Sequence, residues 1–156
     1  MNREHFYHLS LQWTGNTGNG TSAYTAYERS HIISTAGKTE IYCSSDPSFR
    51  GDKTKYNPEE LLVASIASCH MLWYLHLCAE AGINVVSYTD NAAGIMVETE
   101  TGSGYFKEIT LYPQVVVKDI SMIDTANKLH SKANEYCFIA NSLKFPVHHK
   151  PQCKAE

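Results

Sequence analysis

Five cysteines stand in this chain: Cys43, Cys69, Cys78, Cys137 and Cys153. A cysteine reacts as its thiolate, by attacking an electrophilic oxygen or sulfur or by ligating a metal. No two have the C-x-x-C spacing of a zinc ribbon or a thioredoxin-like motif. Thiol redox chemistry is what this set has within reach, and local sequence separates the candidates. Ala64, Ser65, Ala67 and Ser68 precede Cys69. Small neighbours leave room beside that sulfur for a substrate or a second sulfur. Cys137 follows Glu135-Tyr136 at the end of a predicted helix. Core packing is the competing reading of both, since free cysteine is among the most buried residue types. Joining the two requires Cα atoms within about 7 Å, a distance that sequence does not carry. Cys43 and Cys78 read as packing residues, and Cys153 as an exposed tail thiol.

Other polar groups offer less. His70 directly follows Cys69, so on a helix it points about 100° away and is a poor base for its neighbour. His76 shares the face of Cys69 but lies about 10 Å along the axis. His148 and His149 fall on a predicted strand and point to opposite faces. These histidines read as hydrogen-bonded structural groups, and no metal site is expected. Only Arg3, Arg29 and Arg50 can supply a guanidinium. The run from Gly15 to Gly20 is glycine-rich but precedes no helix, so no nucleotide or other bound cofactor is expected.

Several elements must hold these groups. Residues 6–13 alternate, with Tyr7, Leu9, Leu11 and Trp13 on one face, which is strand periodicity. Two more strands are predicted over about 24–34 and 39–44, and a polar loop over 45–56. Asn57 can cap a helix, Pro58 suits its first position, and Glu59 and Glu60 face the positive end of its dipole. This helix runs to Ala81, stops at Gly82, and is about 36 Å long. Strands follow over 83–89, 94–100 and 105–117, with Gly102-Ser103-Gly104 as a hairpin turn. Ser121 caps a second helix over about 122–136. A last strand covers 144–149, and the tail to Glu156 is loose. Strands and helices in this order, joined by hairpin-like turns, make an α+β fold with antiparallel sheets around a long central helix.

At 156 residues the chain is one domain, 1–156. Its net charge of −3 is mild and mixed along the sequence, which argues against a clustered basic nucleic-acid face. Met1 to Trp13 lacks the apolar centre of a signal peptide, so a cytoplasmic protein with free thiols is expected. From Leu61 to Ala79 no side chain is charged. Ser65, Ser68, His70 and His76 interrupt that stretch, so a buried helix is expected, not a membrane span. Leu61, Leu62, Val63, Ile66, Met71, Leu72, Trp73, Leu75 and Leu77 leave it almost no polar stripe. Such a helix must be covered on all sides. One sheet covers one side, so a homodimer with the helix near its interface is expected.

The stretch Asn57-Pro58-Glu59-Glu60-Leu61, followed by small and apolar residues and by Cys69 twelve places after the asparagine, resembles the signature of the OsmC/Ohr family of organic hydroperoxide reductases. Ala79-Glu80-Ala81-Gly82 resembles that family's helix end. Ala133-Asn134-Glu135-Tyr136-Cys137 resembles its second helix, which ends in a resolving cysteine. The resemblance covers nearly the whole chain. It implies an intertwined homodimer with two central helices packed between sheets. It also implies a thiol peroxidase, with Cys69 attacking an organic hydroperoxide and its sulfenic acid condensing with Cys137 to a disulfide. An external dithiol, dihydrolipoamide-like in the family, then reduces that disulfide.

The family lowers the pKa of its reactive thiol with an arginine held by a glutamate, and Glu59 matches the glutamate. Arg29 lies about where one branch keeps the arginine, and Arg50 lies near, but shifted from, where another has one. Arg29 is the favoured partner, with an ordinary surface ion pair as the alternative for either. Glu59 is about 15 Å along the helix from Cys69. The implied Glu59–arginine pair therefore acts across a dimer, or the arginine side chain bridges much of the gap. His70 and Phe138 replace the Phe and Pro that follow the two cysteines in better-known branches. A non-catalytic module that binds a small hydrophobic ligand on the same fold is the other reading. A guanidinium within hydrogen-bond reach of Cys69 separates the two.

Overall fold

Alternating apolar residues in the first part of the chain build a three-stranded antiparallel sheet. It comprises β1 (Ser10–Trp13), β2 (His31–Ser34) and β3 (Ile41–Cys43), with Leu11 opposite Ile33 and Ile33 opposite Ile41. The computed structural model describes residues 3–156, which group into two compact units divided between Leu61 and Leu62. The strands of the first unit are shorter than their alternation predicts. Between β1 and β2 the Asn16 side chain accepts from the amides of Gly18 (2.9 Å) and Gly20 (3.1 Å), and both glycines take positive φ. Backbone bonded to a nearby side chain in this way forms turns, not ladder.

Helix α1 (Pro58–Glu80) starts as its sequence predicts. Asn57 Oδ1 accepts from the Glu60 amide at 2.8 Å. Glu60 Oε2 accepts from the Asn57 amide at 3.1 Å. The two bonds make a reciprocal capping box. Gly82, at φ 70°, ends the helix. Beyond it the Ile83 amide reaches back to the Cys78 carbonyl at 2.8 Å, the closure a left-handed glycine allows. The buried residues of α1 are Ile66, His70, Tyr74, Leu77 and Cys78. Their spacing marks a single stripe. The helix is long and apolar enough to cross a membrane, as a core helix also can be. Leu72 stays 63% exposed, so the chain alone does not cover the helix on all sides.

The second unit continues with β4 (Val85–Asp90), β5 (Ala93–Glu98), β6 (Gly104–Leu111), β7 (Pro113–Val117), α2 (Ile123–Tyr136), the short α3 (Phe138–Asn141), β8 (Val147–His149) and β9 (Gln152–Ala155). Two three-stranded sheets form, in the orders β4-β7-β9 and β5-β6-β8. The pairs β4/β7 and β5/β6 are antiparallel, whereas β6/β8 and β7/β9 are parallel. The fold is α+β, with mixed sheets.

Three expectations are corrected. The strand predicted over 105–117 is two strands in different sheets. Pro113 has no N–H to give a ladder. Before it, the Tyr112 amide donates to Asp90 Oδ1 at 2.7 Å. The tail is not loose: Gln152–Ala155 pairs with β7, and Cys153 packs half-buried on the core instead of standing exposed. Four alternating residues are too few to announce a strand. Ser121 does not cap α2; its amide is the donor to Asp119 Oδ1 at 2.8 Å, which caps a 3-10 turn (Ile120–Met122) leading into the helix.

Two apolar clusters hold the second unit. Tyr74, Leu77, Ile83, Val115, Val117, Ala126 and Ala133 form one, and Ile66, Ile109 and Leu111 the other. Each large member contributes about 1.5–3 kcal/mol by leaving water. The α1 stripe supplies both clusters, which fixes the rotation of the helix and thereby the direction in which Cys69 points.

Candidate functional site

Rotation of α1 puts Cys69 on a half-buried flank beside the sealed stripe. Trp73, one turn on, lies on the same flank. Its ring meets Tyr136 at 5.2 Å, Phe138 at 5.6 Å and His76 at 5.7 Å between centroids. Those contacts draw the end of α2 onto α1, and that end carries Cys137. Leu72, Trp73 and His76 also line an open, mainly apolar hollow of about 220 Å³.

Cys137 is buried and ends α2. Its sulfur accepts from the Ala140 amide at 3.4 Å, which caps α3. Burial pushes its thiol up to about 11, contact with the Cys69 thiol contributes to the rise, and the Ala140 amide works against both. Each cause acts by favouring or disfavouring the charged form. The two sulfurs are therefore neighbours, and both are free thiols. Cys78 and Cys153 instead pack in the cluster around Tyr74. Cys43 and Cys78 are buried, as their packing role predicts.

Within the first unit, the Arg29 guanidinium donates to the carbonyls of Tyr27 and, at 2.7 Å, Tyr24. It also lies over both rings, 4.2 and 4.3 Å from their centroids, where the ring faces attract a cation. Glu59 keeps one carboxylate oxygen buried without a hydrogen-bond partner. Among the described residues no ion pair joins Arg29 to Glu59. Arg50 ends a 3-10 turn (Pro47–Phe49) in the left-handed conformation, at φ 64°.

One group escaped the sequence. His70 and His130 are fully buried, and His70 Nε2 lies 3.0 Å from His130 Nδ1. The Tyr74 ring stacks on His130 at 3.8 Å, and the His149 ring lies 5.8 Å from that of His70. Burial holds His70 down to about 4 and His130 to about 3, with neighbouring histidines adding to both shifts. Both rings are thus neutral at ordinary pH, as desolvation of a cationic form requires. The signal for His130 was its place in the stripe Ala126, His130, Ala133 of α2, where a core residue belongs. His148 turns outward to Glu108 at 3.9 Å and His149 inward, as strand alternation predicts. His76 meets Glu80 at 3.4 Å.

This fold, a long apolar helix packed with mixed sheets, is shared by solved OsmC-like proteins. Residues 51–152 match the OsmC-like protein family model. An OsmC-like protein of unknown function from Vibrio cholerae is 30% identical in a structural alignment covering 96% of this chain and 100% of that one, with a TM-score of 0.85. The uncharacterized protein YmaD of Bacillus subtilis (strain 168) is 28% identical over 145 residues, 90% of this chain and 88% of YmaD. An organic hydroperoxide resistance protein of Elizabethkingia anophelis shares the fold at 17% identity and a TM-score of 0.66, over 99% of this chain and 100% of its own. The chain belongs to the OsmC-like family.

Proposed function

We propose that this protein is a thiol peroxidase that reduces organic hydroperoxides. The apposition of two free thiols, Cys69 and Cys137, carries the reading. The name of the structural neighbour from Elizabethkingia supports the substrate class. Cys69 thiolate attacks the terminal oxygen of ROOH, and the O–O bond breaks. The alkoxide leaves and takes a proton as ROH, while Cys69 becomes a sulfenic acid. Cys137 sulfur then attacks Cys69 sulfur. A disulfide forms, and the sulfenic hydroxyl leaves with the thiol proton as water. An external dithiol, dihydrolipoamide-like, reduces the bond by exchange and is itself oxidised to a disulfide. Burial keeps the Cys137 proton in place at neutral pH, so Cys137 gives that proton up as it attacks.

Ionising Cys69 needs a cation. The unpartnered oxygen of Glu59 is suited to hold one. In this reading the chain acts as a homodimer, and Glu59 with Arg29 or Arg50 serves the Cys69 of a second copy. Exposed Leu72 beside the thiol flank supports an apolar interface there. The assay is consumption of cumene hydroperoxide with a dithiol reductant by wild type, Cys69→Ser and Cys137→Ser. Turnover is lost in the first variant. The second forms a sulfenic acid that over-oxidises under excess peroxide, detected by mass spectrometry. Equal turnover in all three rejects the mechanism and leaves a ligand-binding module on this fold.

A further inference from the structure

The buried pair of His70 and His130 has no role in the chemistry above. Each is fully buried, which is costly for a polar ring unless its nitrogens find partners. One nitrogen of each does, in the 3.0 Å bond between His70 Nε2 and His130 Nδ1. Apolar side chains fill such positions without that cost, so the pair is retained for something other than burial of area. It is the only side-chain hydrogen bond between α1 and α2 among the described residues. The rings lie 7° from parallel, and the Tyr74 ring, stacked on His130 at 3.8 Å, fixes its plane.

The location of this bond gives it a use. His70 is the residue after Cys69 on α1. His130 lies two turns before Cys137, on the same side of α2. A directional bond at this point sets how far the helices slide and turn against each other. Apolar contacts such as Trp73 on Tyr136 hold the helices together but tolerate small sliding. Disulfide geometry tolerates little, because sulfur–sulfur bonding demands a narrow range of Cα separations and dihedral angles.

We propose that His70 and His130 are positioning residues that hold Cys69 and Cys137 in the register required for their disulfide. The inference rests on the pairing of these two sulfurs in the reading above, but not on peroxide as the oxidant. The bond is between neutral rings: one nitrogen donates and the other accepts, and either tautomer serves.

The test is a thiol–disulfide equilibrium in glutathione buffers without peroxide. The reduced protein and oxidised glutathione exchange to give the Cys69–Cys137 disulfide and two reduced glutathiones. Its equilibrium constant measures the effective concentration of one thiol at the other. The variants differ in where they place a polar atom. His70→Gln reaches the Nε2 position and His130→Asn the Nδ1 position, so each can remake the bond. His70→Asn is polar but too short, and His130→Leu lacks the group altogether. The expected result is a constant lowered about three- to tenfold in His70→Asn and His130→Leu, the ratio one hydrogen bond supports. His70→Gln and His130→Asn stay within about twofold of wild type. Should His130→Leu fail to fold, the comparison of Gln with Asn at position 70 decides alone. Equal constants for His70→Gln and His70→Asn, in variants with native circular dichroism, overturn the proposal. A protein that forms the disulfide from glutathione but consumes no hydroperoxide leaves it standing and removes only the peroxidase.

Discussion

Two flanks of one helix differ in what they do with polarity. The flank of α1 that carries Cys69, Trp73 and His76 is half-buried or exposed, and its polar atoms have access to solvent or substrate. The neighbouring stripe of Ile66, His70, Tyr74 and Leu77 is sealed, yet it holds a histidine bonded to a second buried histidine. In the proposed chemistry the Cys69 sulfur needs access, because a peroxide must reach it. A positioning hydrogen bond needs the opposite, because water competes for an exposed one. The helix rotation set by the two apolar clusters supplies both environments one residue apart.

Substitutions on each flank test that contrast. On the accessible flank the largest effect is chemical: Cys69→Ser lowers hydroperoxide turnover by a factor on the order of 10⁶, as loss of a nucleophile does. Steady-state peroxide consumption measures it, and retained turnover would place the chemistry elsewhere. On the sealed stripe the effect is on folding. Tyr74→Ala costs about 3–5 kcal/mol in urea denaturation, since it empties a core position. It also uncovers His130. Leu72, two residues away, is exposed. Leu72→Ala therefore costs about 0.5 kcal/mol or less in the single chain. A larger loss that depends on protein concentration would mean a second copy covers Leu72.

Acid separates the flanks more gently. Folding lowers the pKa of His70 to about 4 and of His130 to about 3, from the ordinary value of 6.5. Between the folded and ordinary values the unfolded chain binds more protons. The stability held by these rings is thus complete above the ordinary value and falls as pH drops toward the folded ones. The slope is about 1.4 kcal/mol per pH unit for each histidine. Urea melts at pH 7 and pH 5 measure it, with His130→Leu showing a shallower decline than wild type. His149, whose pKa burial also lowers, adds to the same trend. A modest effect lies at the start of the helix, where the Asn57 side chain bonds the Glu60 amide. Asn57→Ala removes that cap and costs about 1 kcal/mol. A change in turnover larger than this stability loss accounts for would tie the helix start directly to the chemistry.

The helix start, its end and the cysteine twelve residues beyond Asn57 were legible in the sequence because they rest on local chemistry. A cap, a first-turn proline and a terminal glycine act within a few residues. The alternation of the early strands was visible too, and so was the turn between the first two, which the Asn16 side chain closes. What the chain does after Tyr112 was not visible, because the break at Pro113 depends on Asp90, distant in sequence, taking the Tyr112 amide. The β9 strand was hidden for a related reason: four residues become a strand only because β7 presents an open edge to them.

By itself the sequence determined most of the secondary structure, the class of fold and the sulfurs available for chemistry, since propensity, capping and residue type are carried locally. Tertiary structure decided which sulfur stands beside Cys69, that Arg29 binds the tyrosines beside it and not Glu59, and that His70 meets His130. Those outcomes depend on the rotation and register of packed elements, which follow from how apolar side chains fill space and not from any short stretch of residues.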